Sequence, residues 1–279
     1  MNDDFIDVWD PDSFDDVLLG ELREHEQLIC DYLDTEVRLF TEREASDHRG
    51  LPETNPHHGQ YLWLTEHITD YMELRTIRAW HYTRLAEDET VIVRERGVYP
   101  STLGTIRRRL DVRVAAGDFT TEMADLLFAS SPFRDCQQLS ARSGKFWMTS
   151  HPVNPDNGGV ELLLGNWGGE GVYFWLQDKS LEDLVGRLGK PRVLELAVPL
   201  NLTSHGYRAA DAVIGSFARS LGRVPEREAF DLCTTHALGP DTIINIHAEG
   251  DPTFIALGRG YPAGFVHPDL EPADSEDAR

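Results

Sequence analysis

The sequence predicts an α+β fold, in which a helical layer precedes a mainly β region that helices interrupt. Three observations lead to this prediction. Apolar residues recur at helical spacing within residues 1–75. A run rich in β-branched and aromatic residues begins at residue 76. From residue 144 onward several such runs follow one another, separated by turns and two helical segments.

The first 75 residues predict two helices. Ser13 followed by Asp16 resembles a capping box, and a helix is expected to continue from there to about Glu44. Residues 46–60 are polar and contain Gly and Pro, which predicts a loop. A second helix is expected over residues 61–74, so this region is a helical layer without evident chemistry.

The run at 76–85 predicts a strand with two different faces. Strict alternation places Trp80 and Tyr82 on one face of this strand. The other face then carries Ile77, Ala79, His81 and Thr83. A short helix over 87–97 is expected to end at Gly97, a residue type favoured just after a helix. Two more helices are predicted around 104–116 and 120–130.

The second half of the chain predicts strands at 144–150, at 171–177, at 192–200 and as a pair within 242–257. Helices are expected at 180–188 and 208–221, the first because Ser180 and Asp183 form a capping-box pattern. The segment 268–279 is polar and acidic, which predicts a disordered tail.

The net charge of −22 limits the expected partners. Such a field repels nucleic acid unless a local group of arginines overrides it, and it favours solubility or a basic protein that could act as a neutralising partner. The densest basic cluster is "IRRRLD" at 106–111. It reads as the solvated face of a helix, with contact to an acidic acceptor or to nucleic acid as the alternative.

The composition also bears on compartment and metal content. Cys30, Cys136 and Cys233 lack the spacing of a disulfide framework or a zinc site, which favours a reducing cytoplasm. The acidic N-terminus does not have the pattern of a signal peptide, and no apolar run approaches the ~20 residues that cross a bilayer. The pair His57 and His58 lies in a polar loop, so no metal is expected. Walker, HExxH and GxSxG motifs are absent from the sequence.

Two short segments resemble the ADP-ribosyltransferase superfamily, whose active site is built from three strands that carry His, Tyr and usually Glu. The first is "WHYTRL" followed by "VIVRERGV", with matching positions at His81, Thr83, Ile92, Gly97 and Val98. The second is "GGEGVYF", which places Tyr173 after a glycine-rich turn. The resemblance covers roughly residues 76–260. It implies a split antiparallel sheet as the core of a domain spanning 76–267.

The resemblance implies that NAD⁺ is the substrate and that ADP-ribose passes to a macromolecular acceptor, in a toxin, an effector or a phage-defence protein. His81 would hold a ribose hydroxyl, and Tyr173 would stack on the cationic nicotinamide. Close approach of backbone amides is expected at the glycines of the turn, Gly165, Gly168, Gly169 and Gly171. Further cofactor contacts are expected from Thr83, Arg84 and Trp167.

The carboxylate of the third strand is the position at which the sequence departs from the family pattern. Glu228 is the first candidate because "ALGPDTII" downstream of it resembles the family segment. Asp231, Glu249 and Glu170 remain alternatives. Trp147 and His151, in "KFWMTSHP" on an expected strand, are interpreted as core packing. Two other functions stay open: hydrolysis of NAD⁺ with water as acceptor, and a non-enzymatic acidic protein that binds a basic partner.

Overall fold

A computed structural model of the chain describes residues 5–45 and 53–266. The predicted tail at 268–279 and the first half of the predicted loop at 46–60 therefore lie outside the described residues. Within them the fold is a mixture of helices and strands around a five-stranded antiparallel sheet, which confirms the α+β prediction.

Twelve α-helices occur in the described part of the chain. They are α1 (Asp16–Glu24), α2 (Glu26–Ala45), α3 (His58–Glu73), α4 (Glu87–Arg96), α5 (Leu103–Ala116), α6 (Thr121–Ala129), α7 (Cys136–Arg142), α8 (Gly158–Gly165), α9 (Glu170–Tyr173), α10 (Lys179–Arg187), α11 (Gly206–Ser220) and α12 (Pro252–Ala256). The helices expected near 61–74, 87–97, 104–116, 120–130, 180–188 and 208–221 are confirmed, with shifted ends.

The described strands are β1 (Thr76–Leu85), β2 (Phe146–Thr149), β3 (Lys190–Pro199), β4 (Arg227–Glu228), β5 (Asp231–Thr234), β6 (Ile243–Ala248) and β7 (Phe265–Val266). Five of them form the main sheet in the order β5-β2-β1-β3-β6, and β4 pairs with β7 in a separate two-stranded ladder. The predicted strands at 76–85, 144–150 and 192–200 are confirmed.

Strand β1 is paired very differently on its two sides. It pairs with β3 along its whole length, from Thr76 opposite Pro199 to Leu85 opposite Lys190. It meets β2 at a single register pair, Trp80 opposite Thr149. Beyond this pair the two strands diverge, so one edge of β1 from His81 onward faces an opening instead of a neighbouring strand.

The two faces of the sheet pack against different layers. Ile77 and Ala79 of β1 lie in the largest apolar core, together with buried residues of α1, α2, α3 and α11. Trp80 and Tyr82 lie on the other face, with buried residues of α8 and α12. The predicted alternation of β1 is confirmed, and the N-terminal helices share one core with the sheet.

The helices α5, α6, α9 and α10 surround a further apolar core. Gly171 of α9 packs so closely there that a Cβ at this position would lie 2.6 Å from Ile106 Cδ1. The indole of Trp167 is fully buried in the same core. This core fixes α5 beside the opening between β1 and β2.

The first predicted helix needs two corrections, one within it and one at its N-terminal end. The single helix expected from Ser13 to Glu44 is interrupted at His25, whose backbone (φ −104, ψ 14) leaves the helical region and separates α1 from α2. The cap of α1 is Asp15, whose side chain accepts a hydrogen bond from the backbone N–H of Leu18 at 2.8 Å. Ser13 instead ends a short 3₁₀ turn, Pro11–Ser13.

The predicted strand at 171–177 is wrong. Residues Glu170–Tyr173 form the short helix α9, because Gly168 (φ 91) and Gly169 (φ 64) turn the chain and Gly171 docks against α5. The pair of strands expected within 242–257 is also wrong in part. Strand β6 is present, but the following segment begins with Pro252 and forms α12, since proline suits a first helical turn.

None of the helices in the described ranges combines the length and the apolar composition that crossing a bilayer requires.

The sequence prediction that α4 ends at Gly97 leads to a stability test. Gly97 has φ 76, and a Cβ there would lie 1.9 Å from the carbonyl oxygen of Leu238. We expect Gly97→Ala to lower the free energy of unfolding by about 3 kcal/mol or more, since left-handed strain and a backbone clash add. Gly117→Ala is the matched control: Gly117 has φ 82 but open space around it, so about 1 kcal/mol is expected. Urea denaturation measures both, and equal losses would contradict the packing argument.

Candidate functional site

A cleft of about 1670 Å³ opens where β1 and β2 diverge. Its walls come from β1, β2, α4, α5 and the turn that leads into α9. Pockets for drug-sized ligands measure ~300–1,000 Å³, so this cleft has room for a larger, extended molecule. It is the candidate functional site of the protein.

His81 lies at the point of divergence. Its Nδ1 donates a hydrogen bond to the carbonyl oxygen of Trp147 at 2.7 Å, which links β1 to β2 where their ladder has ended. Burial lowers the pKa of His81 to about 4, and the charge of Arg109 acts in the same direction, although the bond to Trp147 opposes the shift. The imidazole is therefore neutral at pH 7. Its Nε2 has no hydrogen bond within the described residues and is the nitrogen that can accept one from a ligand.

Arg109 is fixed in one orientation on the cleft wall. Its Nε donates to Glu89 Oε1 at 2.8 Å, and its guanidinium lies 4.7 Å from the ring centroid of Trp167. The Trp167 Nε1 in turn donates to Glu89 Oε2 at 2.7 Å. Burial opposes ionisation of Glu89, but Arg109 and these donors hold the pKa of the carboxyl below its usual value. One terminal nitrogen of Arg109, buried from solvent, has no partner within 5–45 and 53–266.

The lining of the cleft is more basic than the molecule as a whole. It contains six cationic side chains against four carboxylates, in a chain whose net charge is −22. The cations are Arg96, Arg108, Arg109, Arg142, Lys145 and Arg208, and the carboxylates are Asp88, Glu89, Glu170 and Asp231. A cleft lined by an excess of positive charge attracts an anionic ligand that the rest of the surface repels.

Two exposed aromatic rings also line the cleft. Tyr99 is 45% exposed and Trp147 is 41% exposed, although large aromatic side chains usually bury more of their surface. The ammonium of Lys145 lies 5.5 Å from the centroid of the Trp147 ring, so that ring face already accepts a cation. No sequence pattern singles out Tyr99. The strand position of Trp147 predicts core packing, and this is wrong because a strand position alone does not show exposure.

Several residues expected from the resemblance do meet in the cleft. His81 and Thr83 line it from β1, and Gly169 and Gly171 line it from the turn before α9 and from α9 itself. Gly168 lines it too. The two β1 residues are more than 80 positions away from the three glycines in the sequence, so their meeting depends on the long-range packing of α9 against α5.

Four other expected contacts lie outside the cleft lining. Gly165 is the last residue of α8 and does not reach the cleft. Tyr173 ends α9 and is half-buried, and burial together with nearby Glu170 raises the pKa of its phenol to about 12. Trp167 is buried and braces Glu89 and Arg109. Arg84 points to the opposite side, where its guanidinium donates to the carbonyls of Leu188 and Leu164 at 2.9 and 3.3 Å. The predicted convergence of His81 with Tyr173 is therefore not what the lining of the cleft shows.

The four candidate carboxylates separate into two groups. Glu228 and Glu249 do not line the cleft: Glu228 pairs with Arg208 at 3.3 Å, and Glu249 is exposed after β6. Glu170 lines the cleft but is bonded to Arg142. Asp231 lines the cleft at the start of β5, where it is paired with Thr149 of β2. Asp231 is thus the candidate that comes from a strand of the same sheet as His81.

Groups of at least three His, Cys, Asp or Glu side chains arranged to hold a metal do not occur within residues 5–45 and 53–266. Comparison with protein-family models, with curated proteins and with solved structures gives no match for this chain. The resemblance to the ADP-ribosyltransferases accordingly stays a resemblance of short motifs.

The environment of His81 leads to a titration experiment. Because burial depresses the pKa of the imidazole, we expect NMR of ¹⁵N-labelled protein to show a neutral Nδ1–H tautomer that titrates only near pH 4. The folded pKa lies below the ordinary value, so this residue's contribution to stability is complete at neutral pH and is lost as the pH falls toward 4. The signal is assigned by its loss in His81→Asn. A titration near the ordinary value of ~6.5 would contradict the description of this site.

Proposed function

We propose that the protein binds NAD⁺ in the cleft and transfers its ADP-ribose to a macromolecular acceptor, releasing nicotinamide. The observation that carries this proposal is the arrangement of His81 and Asp231. A neutral imidazole on β1 and a carboxylate on β5 line one cleft, which opens where the shared sheet divides. The register Trp80–Thr149–Asp231 puts Asp231 on the face of Trp80, opposite the face of His81, so a ribose that meets both side chains must lie in the opening between β1 and β2. The motif around His81 is one of the two that resemble the superfamily.

The reaction breaks the bond between C1′ of the ribose and N1 of nicotinamide. The bond pair leaves with nicotinamide, which becomes neutral, and C1′ develops the charge of an oxocarbenium ion. An oxygen or nitrogen nucleophile of the acceptor then bonds to C1′ and loses its proton to solvent. The protein must therefore orient the ribose, stabilise the positive charge at C1′ and hold the two phosphates.

His81 supplies the orientation. Its Nδ1–H is used by the Trp147 carbonyl, so Nε2 is left to accept a hydrogen bond from a ribose hydroxyl. Since the imidazole is held between two strands, the hydroxyl would be fixed by a group that itself cannot swing away. Such positioning removes part of the entropic barrier to reaction.

Asp231 supplies negative charge near C1′. A carboxylate stabilises an oxocarbenium-like transition state in glycosidases for the same reason, because the attraction grows as the charge develops. Asp231 is exposed at the start of β5, next to β2 in the sheet. Glu228, the first candidate from the sequence, is directed to Arg208 and does not line the cleft.

Arg109 and Trp147 account for the remaining parts of the ligand. Arg109 lines the cleft and Glu89 keeps its guanidinium in place, so its positive charge can attract the pyrophosphate. The exposed ring of Trp147 can stack on the cationic nicotinamide. Trp147 thus takes the role that the sequence resemblance assigned to Tyr173.

The proposal predicts the effect of three substitutions on nicotinamide release from NAD⁺. We expect Asp231→Asn and His81→Ala each to lower the rate about 100-fold, because they remove charge stabilisation and ribose positioning respectively. Glu249→Gln, which neutralises an exposed carboxylate outside the cleft lining, should leave the rate unchanged. Release is measured by chromatography with labelled NAD⁺ and cell lysate. Thermal melting of each variant verifies that it is folded.

The same assay separates the reaction classes. Label on a macromolecule identifies transfer, whereas free ADP-ribose formed without lysate identifies hydrolysis with water as acceptor. Folded wild-type protein that releases no nicotinamide with any lysate fraction would contradict the proposal. A normal rate in Asp231→Asn would refute the role of that carboxylate.

A further inference from the structure

We infer that the acceptor is a single-stranded nucleic acid, bound on the wall that α4 and α5 present to the cleft. This wall is formed by Ile92, Arg96 and Tyr99 with Arg108, Arg109 and Val112. The transfer of ADP-ribose to such a strand rests on the proposed function. The binding of the strand does not, since it follows from the charge and the exposed side chains of the wall alone.

The acidic residues at the start of α4 are neutralised by arginines from other elements. Glu87 pairs with Arg192 at 2.7 Å, and Glu89 pairs with Arg109 at 2.8 Å. Asp88 is bonded to Arg113, whose side chain is 4% exposed. Each carboxylate in the first turn of α4 thus has an arginine partner, which reduces the repulsion it exerts on a ligand in the cleft.

The cations at the other end of the wall are left for a ligand. Arg96 and Arg108 are exposed, line the cleft and have no ion pair or hydrogen bond with any described residue. Residues 87–116 contain six arginines against five acidic side chains, whereas the whole chain has a net charge of −22. In the basic cluster at 106–111, Arg109 is fixed toward the cleft, and Arg108 lines the cleft without a partner among the described residues. Arg107 pairs with Asp111 and Asp125. The cluster is therefore more than a solvated helix face.

The wall also exposes apolar and aromatic surface between these cations. Ile92 is 38% exposed, Val112 is 43% exposed and Tyr99 is 45% exposed. Unpaired bases stack on such side chains while arginines hold the phosphates, and this combination is typical of proteins that bind single strands. A duplex keeps its bases stacked internally and could use only the cations. An acidic peptide would use the cations but would not need an exposed aromatic ring.

The overall negative charge does not prevent this contact. Charges separated by more than a Debye length, about 8–10 Å at physiological ionic strength, are largely screened, so a bound strand responds mainly to the wall itself. The negative charge on the rest of the surface would weaken binding there and so restrict the strand to the cleft. Because His81 and Asp231 line the same cleft as the wall, a nucleophilic nitrogen or oxygen of the strand would have access to C1′.

Binding is tested with fluorescein-labelled 12-nucleotide DNA and RNA strands of mixed sequence, by fluorescence anisotropy on the full chain without NAD⁺. We expect Arg96→Glu combined with Arg108→Glu to raise the Kd at least about tenfold and to lower the slope of log K against log salt by about 1.4, which corresponds to two lost phosphate contacts. Tyr99→Ala should raise the Kd about tenfold without altering that slope. The DNA and RNA arms show whether a 2′-hydroxyl is required.

The matched control is Arg94→Glu combined with Arg187→Glu, which changes the net charge equally at two exposed arginines outside the cleft lining. It should bind as wild type does. Equal weakening by the control, or wild-type binding only to duplex, or none to either strand at low salt, would overturn the inference.

A second readout separates this inference from the proposed function. Labelled NAD⁺ and lysate are combined, and the labelled product is treated with nuclease or with protease. Loss of the label from the macromolecular fraction with nuclease supports the inference, and loss with protease alone overturns it while the transferase proposal stands. Strand binding without any nicotinamide release would leave the binding inference supported and the transferase proposal refuted.

Discussion

The structure depends on the unequal pairing of the two edges of β1. Its ladder with β3 runs over the full strand, whereas β2 leaves it after the pair of Trp80 and Thr149. Backbone and side-chain groups near such an opening need other partners, since unpaired polar groups are costly when buried. His81 bonds the Trp147 carbonyl, and the Tyr82 hydroxyl donates to the Val153 carbonyl at 2.8 Å. These two hydrogen bonds tie β1 across the opening to β2 and to the segment that follows β2.

The wall opposite this opening is stabilised by an independent core. Trp167 and Gly171 pack with α5 and α6, and the buried ring of Trp167 also supports Arg109 and Glu89. The charged residues that face the cleft are consequently anchored in apolar packing behind them. A buried ion pair contributes little net stability once desolvation is counted. Its effect here is to fix the direction of a guanidinium, which a flexible surface arginine would not achieve.

The sequence predicted the elements whose signal is local. β1, β3, α4 and α11 show clear alternation, helical spacing or terminal glycine, and each is present. The prediction failed at 171–177, where aromatic and β-branched residues indicated a strand. Tertiary packing decided otherwise: Gly171 must approach Ile106, and the turn at Gly168 and Gly169 leads into a helix. The site was predictable at His81 and Thr83, which one strand motif carries. Asp231 could not be selected over Glu228, because the difference between them lies in a pairing with β2 some 80 residues away.

The net charge of the chain is another property from which the sequence alone could not predict the site. A net charge of −22 describes the whole surface, and it argued against nucleic acid as a partner. The ion pairs in the fold redistribute that charge: carboxylates at the start of α4 pair with arginines of α5 and β3, while Arg96 and Arg108 line the cleft without a partner among the described residues. Composition cannot distinguish a paired carboxylate from a free one, although only the free one repels a ligand. The field that a substrate meets is therefore set by which charges are paired, and that is a property of the tertiary structure.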